Sequence, residues 1–123
     1  MPVVLTVILL LAVSPVWAKW EKAAETDEAV IYIDSAKLRK NGQFRRVWRL
    51  QDLKRRDPDG VLSRRGLQEF DCKGKRFRVL SGTGYEGSMG TGQALRSFDS
   101  ATEWVDIRPG TSAADILRRV CAR

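Results

Sequence analysis

Ala29-Val30-Ile31-Tyr32-Ile33 is an unbroken run of mostly β-branched and aromatic residues, which predicts a strand ending at Asp34-Ser35. Asn41-Gly42 then marks a turn. In residues 43–53, QFRRVWRLQDL, Phe44, Trp48 and Leu50 share one parity while Arg45, Val47 and Arg49 share the other. That alternation predicts a strand with one mainly apolar face. Asp57-Pro58-Asp59-Gly60 has the composition of a turn, and a further strand runs from Leu67 to Cys72. Lys73-Gly74 reads as a two-residue hairpin loop. It sets a register with Phe70 opposite Phe77, Asp71 opposite Arg76 and Glu69 opposite Arg78. Apolar pairs and opposite charges then fall on different faces, and a slip of one residue would destroy both matches. Cys72 takes the face of Phe70 and Phe77, toward the core.

The tail carries a helical pattern. Pro109-Gly110 is a break, and Ser112-x-x-Asp115 resembles a capping box. Ala113, Ile116, Leu117, Val120 and Cys121 then follow the spacing of one apolar helix face. The predicted fold class is α+β: a mainly antiparallel β-sheet with a C-terminal helix packed on one face.

The start of the chain follows another pattern. Residues 3–13, VVLTVILLLAV, are uncharged and apolar but for one hydroxyl; Pro15 and Val16-Trp17-Ala18 follow. This is the layout of a secretory signal cleaved after Ala18. Eleven residues fall short of the ~20 that span a membrane as a helix, and no stop-transfer pattern follows. The start has no Lys or Arg, and no cysteine near the cleavage point offers a lipid attachment site. The expected organisation is therefore a signal peptide over 1–18 and one domain over 19–123, with no transmembrane segment in the mature chain.

Composition sharpens this picture. All 37 charged side chains lie in residues 19–123. A domain that small and charged has a modest core and benefits from a covalent tie. Cys72 and Cys121 are the two cysteines, and in an exported chain such a pair usually closes. The disulfide would bolt the helix to the sheet. Two cysteines without histidine are too few ligands for a metal site.

The net charge of +7 is unevenly placed. Residues 19–36 sum to −3, residues 37–78 carry 15 basic against 5 acidic side chains, and residues 79–123 balance. The central excess has two readings. One is a face for sulfated glycans, lipopolysaccharide or an acidic protein, since arginine forks suit sulfate and phosphate. The other is a solvated strand surface whose cations prevent edge aggregation. Nucleic acid is disfavoured, because export separates the domain from it.

Candidate chemistry is sparse. With no histidine, Ser-His-Asp and Cys-His catalysis are excluded, as is an imidazole pH switch. Gly82-Thr83-Gly84-Tyr85-Glu86-Gly87 has the GxGxxG spacing, yet no helix follows to complete a dinucleotide site. The expectation is a flexible hairpin loop, whose Tyr85 and Met89 either meet a ligand or fold back on the sheet. Trp20, Trp48 and Trp104 read as core residues of the sheet or the helix interface. Asp27 with Glu28 gives no sign of a cleft, and Ser35-Ala36-Lys37 lacks the Ser-x-x-Lys spacing. No catalytic constellation and no cofactor are expected.

The order of these motifs is informative. Trp20, Tyr32-Ile33-Asp34-Ser35, Arg45-Arg46-Val47-Trp48-Arg49-Leu50, Ser63 and Glu69-Phe70-Asp71-Cys72 come first. Arg76-Phe77-Arg78, Tyr85, Met89-Gly90-Thr91-Gly92, Trp104, Pro109-Gly110-Thr111 and Cys121 complete it. Across essentially the whole mature chain this resembles the surface-adhesin protein E family of Gram-negative bacteria. The resemblance implies a curved antiparallel sheet tied to its helix by a disulfide. It also implies a non-enzymatic exported domain that binds host matrix proteins such as vitronectin, laminin and plasminogen, and that can dimerise. A basic stretch early in the family's domain takes part in binding. The similar stretch here runs from Lys37 to Lys54, which makes Arg45, Arg46 and Arg49 the candidate ligand-binding residues. The expected place is the periplasm or the outer cell surface. The alternative is a periplasmic accessory or structural protein with another envelope component as partner, which the missing lipid-attachment cysteine favours.

Overall fold

The structure, a computed structural model, describes residues 3, 4, 6 and 19–122. The expected leader and its cleavage point after Ala18 lie outside the described residues, except for Val3, Val4 and Thr6. Among the described residues, eight strands form one antiparallel sheet: β1 (Trp20–Glu25), β2 (Ala29–Asp34), β3 (Arg39–Asn41), β4 (Phe44–Leu53), β5 (Ser63–Asp71), β6 (Arg76–Tyr85), β7 (Ala94–Phe98) and β8 (Val105–Asp106). The spatial order is β1-β2-β4-β5-β6-β7, with β3 beside β4 and β8 beside β6. The helix α1 (Ser112–Cys121) ends the chain's ordered elements. Among the described residues no helix is long and apolar enough to cross a membrane.

The sheet has two unlike faces. On the helix face, Ile31, Ile33, Val47 and Phe70 pack with Ile116 and Val120 of α1 into one buried cluster. Burial of this set of aliphatic and aromatic side chains is what holds the helix down, at roughly 1.5–3 kcal/mol for each fully buried side chain. The apolar parity of β4 does not point to that cluster. Val47 does, whereas Phe44, Trp48 and Leu50 alternate onto the opposite, open face. Leu50 is nonetheless fully buried, because the turn at residues 88–90 folds back over it. Both parities of one strand are buried in different places, so the more apolar parity was a poor guide to the core.

The hairpin register is as the charge pattern predicts: Phe70 pairs with Phe77, Asp71 with Arg76 and Glu69 with Arg78. The loop itself differs. It spans the four residues 72–75, with Lys75 at φ 51°, rather than Lys73-Gly74 alone. The Gly74 N–H donates to Asp71 Oδ1 (2.9 Å) and the Cys72 N–H to the Gln43 carbonyl (2.8 Å), so two local partners outcompete the tighter turn. The helix begins one residue earlier than the capping-box reading. Thr111, not Ser112, is the N-cap, and its hydroxyl accepts from the Ala114 N–H at 3.2 Å. Cys72 and Cys121 are joined by a disulfide that closes a 49-residue separation and ties α1 to the end of β5.

Gly82, Thr83, Gly84 and Tyr85 are not a loop. They lie in β6, paired to β5 and β7. Glycine is needed there by close approach: a Cβ on Gly82 would stand 2.7 Å from the Phe98 ring, and one on Gly84 3.0 Å from Val61. The loop that follows folds back on the sheet, where the Met89 N–H donates to Asp52 Oδ1 (2.8 Å) and the Gly90 N–H to Ser63 Oγ (2.8 Å).

Candidate functional site

Strand alternation separates the three arginines singled out by sequence. Arg46 stands on the open face, while Arg45 and Arg49 point to the helix face, opposite Phe70 and Gly66. Arg45 is occupied locally: its Nη1 donates to the Gly42 carbonyl (2.7 Å) and the Phe44 carbonyl (3.0 Å). Arg49 is half-buried, and burial first, then the charge of Arg64, hold its pKa below the ordinary value. The structure does not bring these three guanidinium groups to one surface.

It assembles a different set on the open face. Arg46 of β4, Glu69 of β5 and Arg78 of β6 lie side by side in register. Glu69 is 5% exposed and accepts from Arg46 Nε at 2.8 Å and from Arg78 Nε at 2.9 Å. Two residue pairs further on, buried Asp71 accepts from Arg76 Nε (3.0 Å), Gln43 Nε2 (2.9 Å) and the Gly74 N–H. Burial alone would push both carboxyls up. The hydrogen bonds from these donors outweigh it and hold both below the usual carboxylate range. The acids are thus fixed anions beneath the surface, and each orients guanidinium groups above it.

Tryptophans complete the arrangement. Arg76 and Arg78 both stack on Trp104, at 4.4 and 4.5 Å from the ring centroid, and Trp104 meets Phe44 at 6.0 Å. Arg65 stacks on Trp48 at 4.6 Å. Beside Trp48, Lys37 and Arg39 line a shallow hollow of about 350 Å³. Trp20, Trp48 and Trp104 are all only partly buried, and none belongs to the helix-face core. Rather than filling the core, Trp48 and Trp104 provide aromatic surfaces that hold the arginines. This face therefore presents Arg39, Arg46, Arg65, Arg76 and Arg78 over two buried carboxylates, a cationic excess on rigid strands. The hairpin register already placed Arg76 and Arg78 opposite acids. Trp104 read from sequence as a core residue; its part in holding Arg76 and Arg78 was not legible, because its loop reaches β6 only through tertiary packing.

The domain is thus an antiparallel sheet with one face closed by a disulfide-bolted terminal helix and the other left open under ordered arginines. The chain belongs to the surface-adhesin protein E family, whose sequence model matches residues 17–122. The fold is similar to solved structures of Haemophilus influenzae protein E. One matches with a TM-score of 0.64 and 15% identity over 87% of this chain and 86% of that one. Another, a second crystal form, matches with a TM-score of 0.60 and 14% identity over 81% and 91%. The protein E of a non-typeable strain gives 0.62 and 15% over 89% and 79%. The search of curated proteins found no match.

Proposed function

We propose that this protein is an exported, non-enzymatic adhesin-type domain that holds anionic glycans or acidic host matrix proteins on its open arginine face. The observation that carries this reading is the stacking of Arg65, Arg76 and Arg78 on Trp48 and Trp104, with Arg46 held by Glu69 beside them, on a face the helix does not cover. Stacking and buried acids fix the guanidinium groups in place, so less side-chain entropy is lost when a sulfate or carboxylate docks. Of the arginines first singled out, Arg46 belongs to this face, and Arg45 and Arg49 lie behind it.

Family membership supports surface display, and the leader over 1–18 with cleavage after Ala18 supplies the route. A second copy of the chain is a further partner that the family suggests. Binding to immobilised heparin and to vitronectin tests the proposal, with surface exposure read by added protease on intact cells. Retention above that of a charge-matched control, together with protease access, is the expected result. No specific retention, or strict periplasmic protection, would replace it with the accessory-protein reading.

A further inference from the structure

The open face orders part of its charge along one line. Register places Arg39 of β3 opposite Arg46 of β4, Arg46 opposite Glu69 of β5, and Glu69 opposite Arg78 of β6. The row crosses the strands, so with neighbours about 4.8 Å apart it runs about 14 Å from Arg39 to Arg78. One end is the hollow that Lys37, Arg39 and Trp48 line; the other is Trp104, on which Arg78 stacks. Glu69 is the one carboxylate in the row, and it lies beneath the surface rather than on it.

The buried acid engages only part of each guanidinium. Arg46 gives Glu69 its Nε, and its terminal nitrogens have no protein partner among the described residues. Arg78 gives Nε and Nη2 and keeps Nη1. Arg39 is exposed, with neither an ion pair nor a hydrogen-bond partner among the described residues. Terminal N–H groups left over on side chains already held in place suit an oxyanion arriving from solvent. Apolar anchors are missing here, whereas a protein partner buries about 800 Å² per side around a largely apolar core. Trp48 and Trp104 are covered by stacked arginines, and the exposed Phe98 and Val105 belong to the helix face by register.

We infer, resting on the adhesin-type reading above, that this row is a track for a linear sulfated polysaccharide, which crosses the strands from the Lys37–Arg39 hollow to Arg78. Sulfates displayed along the chain meet Arg39, Arg46 and Arg78 in turn, each held by the N–H groups that Glu69 leaves over, and the sugar hydroxyls stay in water. An extended acidic peptide matches the row less well. Its same-side acids recur about every 7 Å, against steps of about 5 Å from Arg39 to Arg46 and about 10 Å from Arg46 to Arg78.

The test titrates heparin di-, tetra- and octasaccharides, and a linear oligoglutamate of the tetrasaccharide's charge, into protein purified from cells expressing the full chain. The tetrasaccharide is the shortest of the three that spans the row. It should bind about ten-fold more tightly than the disaccharide, the gain of a further charge-assisted contact, while the octasaccharide adds about three-fold or less. Oligoglutamate should bind about ten-fold more weakly than the tetrasaccharide. Arg39→Gln, an exposed side chain with no partner to lose, should remove most of the tetrasaccharide's advantage, whereas Arg118→Gln on the exposed side of α1 leaves it unchanged. Affinity that climbs evenly with length, oligoglutamate as good as the tetrasaccharide, or an Arg39→Gln protein that binds like the parent would overturn the track. With polymeric heparin or vitronectin still retained, the adhesin reading survives any of these results; no retention on either would overturn both.

Discussion

Glu69 is the residue on which the open face turns. It is buried, yet its two oxygens receive Arg46 and Arg78, so removing its charge leaves two guanidinium groups without their organiser. Glu69→Gln should cost about 1–2 kcal/mol, discounted from a fully buried pair because both arginines are partly exposed. Urea denaturation at pH 7 measures it. The folded-state pKa values of Glu69 and Asp71 are depressed, so their stabilisation is present above the ordinary carboxylate range and is lost as pH falls through the folded values. The urea midpoint should hold between about pH 7 and pH 5 and drop below about pH 4, with a shallower drop in Glu69→Gln. Glycines allow a second comparison. Gly66→Ala forces its Cβ against backbone and should cost about 1–3 kcal/mol; Gly82→Ala meets the half-exposed Phe98 ring, which can swing aside, and should cost less. Denaturation midpoints that reverse this order would show that the backbone opposite Gly66 relaxes.

At the scale of elements, the contribution that matters most is the tie between α1 and β5. Closing a 49-residue separation contributes about 4 kcal/mol in the chain-entropy view. Cys72→Ser with Cys121→Ser should therefore lower unfolding free energy by about that amount, read by denaturant titration with and without reductant. A change below about 1 kcal/mol would mean that the apolar contacts of Ile116 and Val120 suffice alone. The helix and the β5–β6 register were legible in the sequence because each rests on a local, repeated pattern: helical spacing in one case, matched apolar and charged pairs in the other. The strands β1, β7 and β8 were not. WEKAAE, ALRSF and VD lie at the sheet's margins or in short pairings, half or fully exposed, so burial imposed no alternation on them. The glycines of β6 read as loop for a related reason. Their role is defined by Phe98 and Val61, which approach only in the folded chain.

At the scale of the whole molecule, the +7 charge is sorted by strand parity rather than by position in the sequence. The stretch from Lys37 to Lys54 was legible as basic, but alternation sends its arginines to opposite faces, and a count over a segment cannot register that. The open face instead draws on β3, β4, β5 and β6 together, with Trp48 and Trp104 as supports. A binding surface of this kind predicts salt-sensitive, geometry-dependent retention rather than a response to net charge alone. The direct measurement is the salt concentration that elutes the protein from immobilised heparin, compared between two variants of equal net charge. Lys37→Gln/Arg39→Gln/Arg65→Gln removes three cations from the open face, and Lys73→Gln/Arg108→Gln/Arg118→Gln removes three from elsewhere. The account predicts that the first elutes at clearly lower salt than the parent while the second stays close to it. Equal shifts in the two variants would contradict it.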